Sequence, residues 1–382
     1  MQHTIPDKLP NVGTSIFTEM SVLANKYNAI NLGQGFPNWD MDSKLIDAVQ
    51  AAMQAGYNQY THSDGLPLLR NLLADKYNTL YGCAINATDN ITVTPGGTYA
   101  IYTVLTTLLQ AGDEVIVLEP AYDCYIPAIQ LLGAVPVTVP LQHPTYHINW
   151  QLVEQHITTR TKLIIINSPH NPTGAVLGDS DITALHHLVA TYGLYILSDE
   201  VYEHLIFNGH IHHSILRYPT LFAHSFITFS FGKTYSCTGI KLGYCIAPAA
   251  YTAAFKKIHQ YNAFSCNTPI QVALSNYIQA NTNYLQLGPM VQQQRDVFET
   301  LMLPTRFTAL PSYGSYFQLY SYAAISELPE REFAVWLTVT HGVTVVPVSA
   351  FYQMPVNNKV VRFCFAKTTQ TLQAAASKLL MV

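Results

Sequence analysis

Two lysines in a stretch rich in hydroxyl, glycine and aromatic residues are the first candidates for chemistry in this sequence. Lys233 and Lys241 lie eight residues apart in SFGKTYSCTGIKLGY, in a chain of which only 11% is charged. Burial in an apolar pocket disfavours the charged form of a lysine and lowers its pKa. The neutral amine is a nucleophile that can form a Schiff base with a carbonyl compound. A lone lysine is more often a solvent-exposed side chain, so this interpretation depends on the residues around it.

Polar residues also follow several other predicted strands. Asp199 directly follows the apolar run YILS, and Tyr202 comes three residues later. Asn171 lies in NSPHNPTG after another apolar run, and Gly97 lies in TPGG at the predicted start of a helix. A buried carboxylate needs a partner, and the backbone N–H groups at the start of a helix favour a phosphate. Each feature alone is also typical of an ordinary turn, so only their combination indicates a site.

Strands and helices alternate through the first two thirds of the chain. Apolar, β-branched runs separated by helical patterns predict βαβ units and a mainly parallel sheet that is covered on both faces. Ligands bind at the carboxyl ends of the strands in such sheets, where the candidate residues lie. The predicted strands lie in NITVTPGG, DEVIVLEP, VPVTVPL, TKLIIIN, LYILSDEVY and FITFSFGK. After about Thr268, long helical patterns and the strands SYFQLYSY, VTVVPVS and KVVRFCFA predict a smaller α+β domain.

Composition and charge argue against several classes of protein. The 382 residues, 49% of them hydrophobic, are enough for a large core in two or three domains or in one large domain with a smaller companion. A net charge of −4 without a run of Lys or Arg argues against a nucleic-acid partner. The apolar runs are too short to span a membrane. The first residues lack the apolar stretch of a signal peptide, which favours a cytoplasmic protein.

Cysteine and histidine spacing does not favour a metal site. The six cysteines lie far apart and contain no C-x-x-C pair, so we expect them to be reduced. A zinc site needs tighter clustering of its ligands. The run GHIHHS has no acidic or cysteine residue beside it, and we predict a solvated loop at residues 209–214.

The combination of these features points to one family. A phosphate-binding turn, a carboxylate, a tyrosine, an asparagine and two lysines at the strand ends of one sheet form the pattern of an enzyme that uses pyridoxal phosphate. In order and spacing, NLGQGFP, TPGGT, EPAYDCY, NSPHNPTG, SDEVYE, SFGKTYSCTGIKLGY and VRFCFAK resemble the sequence blocks of the class I and II aminotransferases of fold type I. The resemblance runs from about Ser15 to the C-terminus, and it is greatest to the methionine and kynurenine aminotransferases.

The resemblance implies an α/β fold with two domains. Residues 38–281 would form a large domain that binds pyridoxal phosphate and contains a mostly parallel, seven-stranded sheet between helices. Residues 1–37 and 282–382 would form a smaller α+β domain, with the N-terminal segment near the active site. The resemblance also implies a homodimer with shared active sites, and an amino acid and a 2-oxo acid as substrates.

The resemblance assigns the chemistry to Lys233, Asp199 and Tyr202. Lys233 would form the Schiff base with the cofactor and then move a proton between the substrate Cα and the cofactor C4′. Asp199 would pair with the pyridine nitrogen, while Tyr202 and Asn171 would bond the cofactor O3′. Lys241 would bind the phosphate, at a position where many relatives have arginine and where the methionine and kynurenine aminotransferases have lysine. The other cofactor-binding positions are Gly97, Thr98 and Ser230 at the phosphate, Tyr122 on the ring face, and Tyr60, which would reach the phosphate of the neighbouring subunit.

Substrate binding is assigned by the same resemblance to Arg362, which would clamp the α-carboxylate with Asn171 and the backbone of Gly35. Phe17 and Phe264, the latter in a cross-subunit segment, would line the side-chain pocket. The segment QYNAFSCNTP around Phe264 contains no cation, and burying a side-chain carboxylate without one is costly. Burial of an apolar side chain is favourable instead. We therefore predict methionine as the first amino donor, aromatic amino acids as further donors, and aspartate and glutamate as poor ones.

Two residues depart from the family pattern. Ile240 lies where tryptophan is usual, and Ser265 lies where some kynurenine-handling relatives have histidine, which puts kynurenine specificity in doubt. A β-lyase acting on cysteine conjugates needs the same catalytic residues, so the sequence leaves it open as an alternative. A non-catalytic regulator that binds pyridoxal phosphate is disfavoured, because such proteins carry an added DNA-binding domain and because every catalytic position is filled here.

Overall fold

Helices cover much of the chain in the computed structural model, which describes residues 5–382. Within these residues the α-helices are α1 Ile16–Lys26, α2 Ser43–Gln54, α3 Pro67–Tyr81, α4 Ala87–Asn90, α5 Gly97–Leu108, α6 Tyr125–Leu131, α7 Trp150–Gln155, α8 Asp179–Tyr192, α9 Pro219–Phe222, α10 Phe231–Thr234, α11 Ala249–Asn262, α12 Thr268–Ala280, α13 Tyr284–Met302, α14 Glu330–His341 and α15 Thr369–Leu379. Local sequence sets some bounds: α3 begins at a proline, and a glycine with a left-handed φ of 64° follows its last residue. No helix among the described residues is long and apolar enough to cross a membrane.

The strands of the described residues form three sheets. They are β1 Ile30–Asn31, β2 Ile91–Thr94, β3 Glu114–Glu119, β4 Val135–Pro140, β5 Thr161–Asn167, β6 Tyr195–Asp199, β7 Ser225–Ser230, β8 Gly243–Ile246, β9 Thr308–Ala309, β10 Phe317–Ser321, β11 Val343–Thr344, β12 Val346–Pro347 and β13 Val360–Cys364. Strands β1 and β11 pair with each other, and β12, β13, β10 and β9 form a four-stranded antiparallel sheet. The other seven strands form the central sheet.

The central sheet has the strand order β2-β8-β7-β6-β5-β3-β4. Strand β8 is antiparallel to both of its neighbours, and all the other strands run in one direction. The carboxyl ends of β2, β3, β5, β6 and β7 therefore meet at one edge. The predicted fold class, an α/β protein with a mostly parallel seven-stranded sheet, is confirmed. Strand β8, which directly follows the segment with the two lysines, was not predicted from the sequence.

Two apolar cores cover the two faces of the central sheet. Successive side chains of a strand point to opposite faces, and in β5 Ile164 and Ile166 belong to one core whereas Leu163 and Ile165 belong to the other. Both faces are packed, so the carboxyl edge has a rigid support. A third core surrounds the four-stranded sheet. The division into domains at residues 38–281 stays a prediction.

One predicted strand of the C-terminal part is wrong. The run VTVVPVS was predicted as a single strand, but it contains β11 and β12, which Val345 separates. Strand β11 pairs with β1 and β12 pairs with β13, so the chain passes here from one sheet to another. An unbroken apolar run shows that a segment is buried, and it does not show which sheet the segment joins.

The loop at residues 209–214 is not solvated throughout, and the prediction is wrong for Ser214, which is fully buried, and for His212. Its side chain is buried, and its Nε2 lies 2.9 Å from Oε2 of the buried Glu200. Glu200 also accepts from the backbone N–H of Ile215 at 3.0 Å. The histidine therefore anchors the loop to the residue that follows Asp199.

Candidate active site

A cavity of about 240 Å³ lies at the carboxyl edge of the central sheet. It reaches the N-terminal segment and the four-stranded sheet, so residues from distant parts of the chain meet there. Of the residues predicted from the sequence, the cavity is lined by Phe17, Gly35, Gly97, Thr98, Tyr122, Asn171, Asp199, Tyr202, Ser230, Lys233, Lys241 and Arg362. Two predicted residues, Tyr60 and Phe264, do not line it.

Lys233 lies in the single turn of α10, three residues beyond the end of β7. Its Nζ donates to the carbonyl oxygen of Gly35 at 2.8 Å. The ring centroids of Tyr202 and Tyr316 lie 5.4 and 5.7 Å from Nζ. Burial lowers the pKa of Lys233 to about 8, because these surroundings solvate the ammonium poorly. The amine therefore has a sizeable neutral fraction at mildly alkaline pH.

Asp199 ends β6 and is buried, with 3% of its surface exposed. Its Oδ2 accepts a hydrogen bond from the hydroxyl of Tyr125 at 2.6 Å. Burial raises the pKa of Asp199 to about 6, although the bond from Tyr125 opposes that shift. A carboxylate in this position gains from a cationic partner in the cavity, because such a partner would offset the cost of its burial.

The beginning of α5 forms a cradle at the other end of the cavity. Gly96 has a φ of 93°, a conformation that favours glycine, and Gly97 is the first residue of the helix. A Cβ at Gly96 would lie 3.7 Å from Nζ of Lys241, and a Cβ at Gly97 would lie 3.2 Å from Cγ1 of Val201. The free N–H groups of a helix start and a lysine at this distance suit an anion. Ser230 and Thr98 line the cavity beside them.

Arg362 is fully buried on β13 and is already bonded in two directions. Its Nη1 donates to Oδ1 of Asn171 and its Nη2 donates to the carbonyl oxygen of Gly33, both at 2.7 Å. Its Nε is buried without a hydrogen-bond partner among residues 5–382. Burial lowers the pKa of Arg362 to about 10, so the group remains a cation at neutral pH.

Aromatic rings enclose the guanidinium of Arg362. The carbon Cζ lies 3.8 Å from the ring centroid of Phe317, 5.0 Å from that of Phe17 and 5.3 Å from that of Phe351. Cations are attracted to such ring faces. Phe17 and Phe317 also line the cavity, so a carboxylate next to Arg362 would lie beside apolar surface.

Tyr60 and Phe264 lie together on the outside of the chain. Their rings are edge to face with centroids 5.2 Å apart, and they are 81% and 54% exposed. The hydroxyl of Thr268 donates to the carbonyl of Gln59 at 2.6 Å, and that of Ser265 donates to the carbonyl of Thr61 at 3.1 Å. The two segments that carry these aromatic residues are thus tied to each other, and neither residue lines the cavity of its own chain.

Several residues of the site were missed by the sequence analysis. Tyr125 supports Asp199, and Asn167 accepts from the N–H of Asn171 at 2.8 Å and donates to the carbonyl of Asp199 at 2.9 Å. Both residues could have been found from the sequence. Asn167 ends a predicted strand, and Tyr125 follows Tyr122 by three residues, close to one helical turn. The roles of Phe317 and Phe351 had no signal, because these residues reach Arg362 only through the fold.

The lining suits pyridoxal phosphate at each of its polar groups. The helix start with Lys241 matches a phosphate, and the buried carboxylate of Asp199 matches a protonated ring nitrogen. Lys233 offers an amine of lowered pKa for an aldehyde. The two glycines leave room where a Cβ would fill the cradle.

The known proteins that this chain resembles in sequence are aminotransferases. Residues 27–379 match the family described as aminotransferase class I and II. The chain is 43% identical to methionine aminotransferase from Escherichia coli K12 over 373 residues, which cover 97% of each chain. It is 31% identical to human kynurenine–oxoglutarate transaminase 1, over 97% of this chain and 96% of that protein.

Solved structures agree over the full length. A crystal structure from Escherichia coli, reported with a methionine aminotransferase function, has a TM-score of 0.97 at 42% identity and covers all of both chains. N-succinyldiaminopimelate aminotransferase from Mycobacterium tuberculosis has a TM-score of 0.94 at 32% identity, over 99% of this chain and 100% of that chain. The fold and the site therefore define an aminotransferase with an α/β core. The chain belongs to the class I and II aminotransferases, a family that uses pyridoxal phosphate and takes amino acids and 2-oxo acids as substrates.

Proposed function

We propose that this enzyme transfers the α-amino group of a large apolar amino acid to a 2-oxo acid, in the cytoplasm and with pyridoxal phosphate as its cofactor. Methionine is the first candidate donor, and aromatic amino acids follow. The observation that carries the substrate class is the aromatic enclosure of Arg362 by Phe17, Phe317 and Phe351. A thioether or an aromatic ring packs favourably against such walls. The activity named for the Escherichia coli relative supports the same donor.

The cavity lining would hold the cofactor at both of its ends. Lys241, Ser230 and the first N–H groups of α5 would hold the phosphate, and Asp199 would pair with the ring nitrogen. Tyr122 would cover one face of the ring. When bound, pyridoxal phosphate would supply an aldehyde that accepts the amino group and a ring that withdraws electrons from the substrate Cα.

Lys233 would move the proton. A pKa of about 8 leaves part of the Nζ amines neutral at neutral pH, and a neutral amine can take a proton from Cα and later return one. The same atom would act on the donor in the first half-reaction and on the oxo acid in the second, which is a ping-pong sequence. Burial raises the pKa of Tyr202 well above its usual range, so its hydroxyl stays protonated and can donate to the cofactor O3′, together with Asn171.

Arg362 would orient both substrates by their carboxylates. Its bonds to Asn171 and Gly33 fix the guanidinium before a substrate enters. A planar guanidinium binds a carboxylate through two parallel bonds, and a group that is already fixed loses little freedom on binding. Every α-amino acid and 2-oxo acid has this carboxylate, so selection among donors falls to the aromatic walls.

The substrate class is tested by comparing donors with one common acceptor. We expect kcat/KM for methionine to exceed that for aspartate by at least about tenfold, from burial of an apolar side chain and exclusion of a carboxylate. Glutamine and glutamate are a matched pair of equal size that differ in charge, and we expect glutamine to be the better donor. Equal values for methionine and aspartate would overturn the substrate class and leave the aminotransferase assignment intact.

We also propose a homodimer in which Tyr60 and Phe264 complete the site of the neighbouring subunit. Their exposure and the ties between their segments support this arrangement. Replacing Tyr60 with phenylalanine should raise the dissociation constant of the cofactor about tenfold, the effect of one lost hydrogen bond to a charged group. Tyr27→Phe is the control, since Tyr27 is also an exposed tyrosine and lies outside both segments. Sedimentation measures the assembly and fluorescence titration measures the cofactor; a monomer that binds the cofactor fully would disprove the shared site.

A further inference from the structure

Four consecutive carbonyl groups of residues 33–36, the carbonyl segment, are each bonded to a cation. Arg362 Nη2 donates to the first carbonyl at 2.7 Å, and Lys233 Nζ donates to the third at 2.8 Å. Lys367 Nζ donates to the second at 3.3 Å and to the fourth at 2.7 Å. Arg362 and Lys233 belong to the site, whereas Lys367 does not line the cavity and has so far no role.

We propose that Lys367 is a positioning residue for substrate binding, because it holds the carbonyl segment where Arg362 and the backbone of Gly35 can receive the α-carboxylate. This inference rests on the proposed function, in which Arg362 binds that carboxylate. Lys367 lies five residues beyond Arg362, just after β13, so the same strand places both cations.

Lys367 is a buried cation whose hydrogen bonds go to backbone carbonyls. Its side chain is buried, with 3% of its surface exposed, and it has no carboxylate as a hydrogen-bond partner among the described residues. Its bonding capacity goes to the two carbonyls and to the ring of Phe36, whose centroid lies 5.0 Å from Nζ. Hydrogen bonds from a charged donor are stronger than neutral ones. Lys367 thus stabilises one conformation of a segment that has no regular secondary structure.

The carbonyl segment packs closely against Phe317. A Cβ at Gly35 would lie 2.8 Å from Cζ of Phe317, so the backbone rests directly on that ring. Phe317 in turn lies against Arg362, with 3.8 Å between ring centroid and guanidinium carbon. A shift of the segment would therefore disturb both the ring and the guanidinium that would bind the carboxylate.

The effect of Lys367 should appear in substrate affinity more than in the catalytic step. Asp199 and Tyr202 lie on or after β6 and have no hydrogen bond to the carbonyl segment. Lys233 follows β7 and bonds to the segment only through the carbonyl of Gly35. With the cofactor attached to Lys233, the third carbonyl of the segment would lose its cation. Lys367 and Arg362 would then be the two cations that still hold the segment.

The test uses the purified holoenzyme with Lys367→Met, Lys367→Arg and, as a control, Lys378→Met, which removes an exposed lysine of α15. We measure kcat and KM for methionine and the dissociation constant of 4-(methylthio)butanoate, which is methionine without its amino group. Lys367→Met should raise KM and the dissociation constant about tenfold, the size of a lost charge-assisted bond, while kcat changes little. Lys367→Arg should restore most of the affinity, and Lys378→Met should behave as the unaltered enzyme.

A second measurement is independent of the reaction. Amide hydrogen exchange of residues 33–36 should be faster in Lys367→Met than in the unaltered protein and in Lys367→Arg. If Lys367→Met does not fold, Lys367→Gln keeps an uncharged N–H₂ donor group. It should raise the dissociation constant by a smaller factor, and no rise would overturn the proposal.

Two further outcomes separate this inference from the function on which it rests. If Arg362→Met weakens binding of 4-(methylthio)butanoate and Lys367→Met does not, the role of Lys367 is overturned and the carboxylate site stands. If Arg362→Met leaves that binding unchanged, the carboxylate site itself is wrong, and the role of Lys367 falls with it. A drop in thermal stability with unchanged affinity in Lys367→Met would reduce Lys367 to a structural residue and overturn the proposal.

Discussion

Replacing Lys233 with alanine is expected to abolish covalent attachment of the cofactor and to lower turnover by about 100- to 10,000-fold, the usual contribution of a general acid and base. The variant should stay folded, because the lost side chain occupies an open cavity and its one hydrogen bond goes to a backbone carbonyl. The phosphate cradle, Asp199 and Tyr122 are untouched, so the cofactor should still bind without attachment. Absorbance spectra, followed by borohydride reduction and peptide mapping, check both statements.

Lys241 provides the matched control for Lys233. It lies in the same cavity, next to the phosphate cradle, but it is assigned to binding and not to chemistry. Lys241→Met should weaken cofactor binding and leave the cofactor attached to Lys233 when the cofactor is saturating. Reduction that fixes the cofactor at Lys241, or at any lysine other than Lys233, would contradict the assignment.

The residues at the carboxyl edge of the central sheet could be predicted from the sequence, because their positions depend on local patterns. Each buried strand is an apolar run, each run ends in a polar or glycine residue, and parallel strands bring these ends together. Asp199, Asn171 and Gly97 follow from this rule. Lys233 follows less directly, since a turn of helix separates it from β7.

The contacts between distant segments could not be predicted from the sequence. Gly35 and Lys233 are 198 residues apart, and Asn171 and Arg362 are 191 residues apart. Neither pair leaves a local pattern, because each bond depends on how distant segments of the chain pack together. Phe351 reaches Arg362 from the short 3₁₀ helix Val348–Phe351, in which no periodicity shows which way a ring points.

The site depends on charges that the fold isolates from water. Burial disfavours the charged form of three groups in the site. It raises the pKa of Asp199 and lowers the pKa of Lys233 and of Arg362. In a chain of which 11% is charged, such groups have few compensating neighbours. Ligands that carry the opposite charge would therefore gain more here than at an exposed site, which suits a cofactor with a phosphate and a protonated ring.

Replacing Asp199 with asparagine is expected to keep the fold and lower turnover about a hundredfold or more, as loss of one well-placed charge in a site does. Asparagine has nearly the same shape, and it can still accept the bond from Tyr125. It cannot pair with a protonated ring nitrogen through a negative charge. Steady-state kinetics with saturating cofactor measures the loss, and near-normal turnover would remove Asp199 from this role.

The pH dependence of cofactor binding gives a sharper test of Asp199. Burial raises the pKa of its carboxyl to about 6 in the protein without cofactor, so the carboxylate is present above that pH and is lost as the pH falls through it. Cofactor affinity should therefore decrease below about pH 6 in the unaltered protein. The phosphate of the cofactor loses its second proton in the same range, so the difference between the unaltered protein and Asp199→Asn is the quantity to measure. That difference should shrink as the pH falls.

In Tyr125→Phe, cofactor affinity should begin to decrease at a higher pH than in the unaltered protein. The hydroxyl of Tyr125 donates to Oδ2 of Asp199 and opposes the effect of burial on its pKa. Without that bond the pKa of Asp199 rises above 6, and the decrease in affinity should begin at a higher pH. Asp199→Asn removes the titration, whereas Tyr125→Phe shifts it, and no loss of packing alone produces both results. Identical pH profiles for the three proteins would show that the phosphate alone titrates and that Asp199 does not pair with the cofactor.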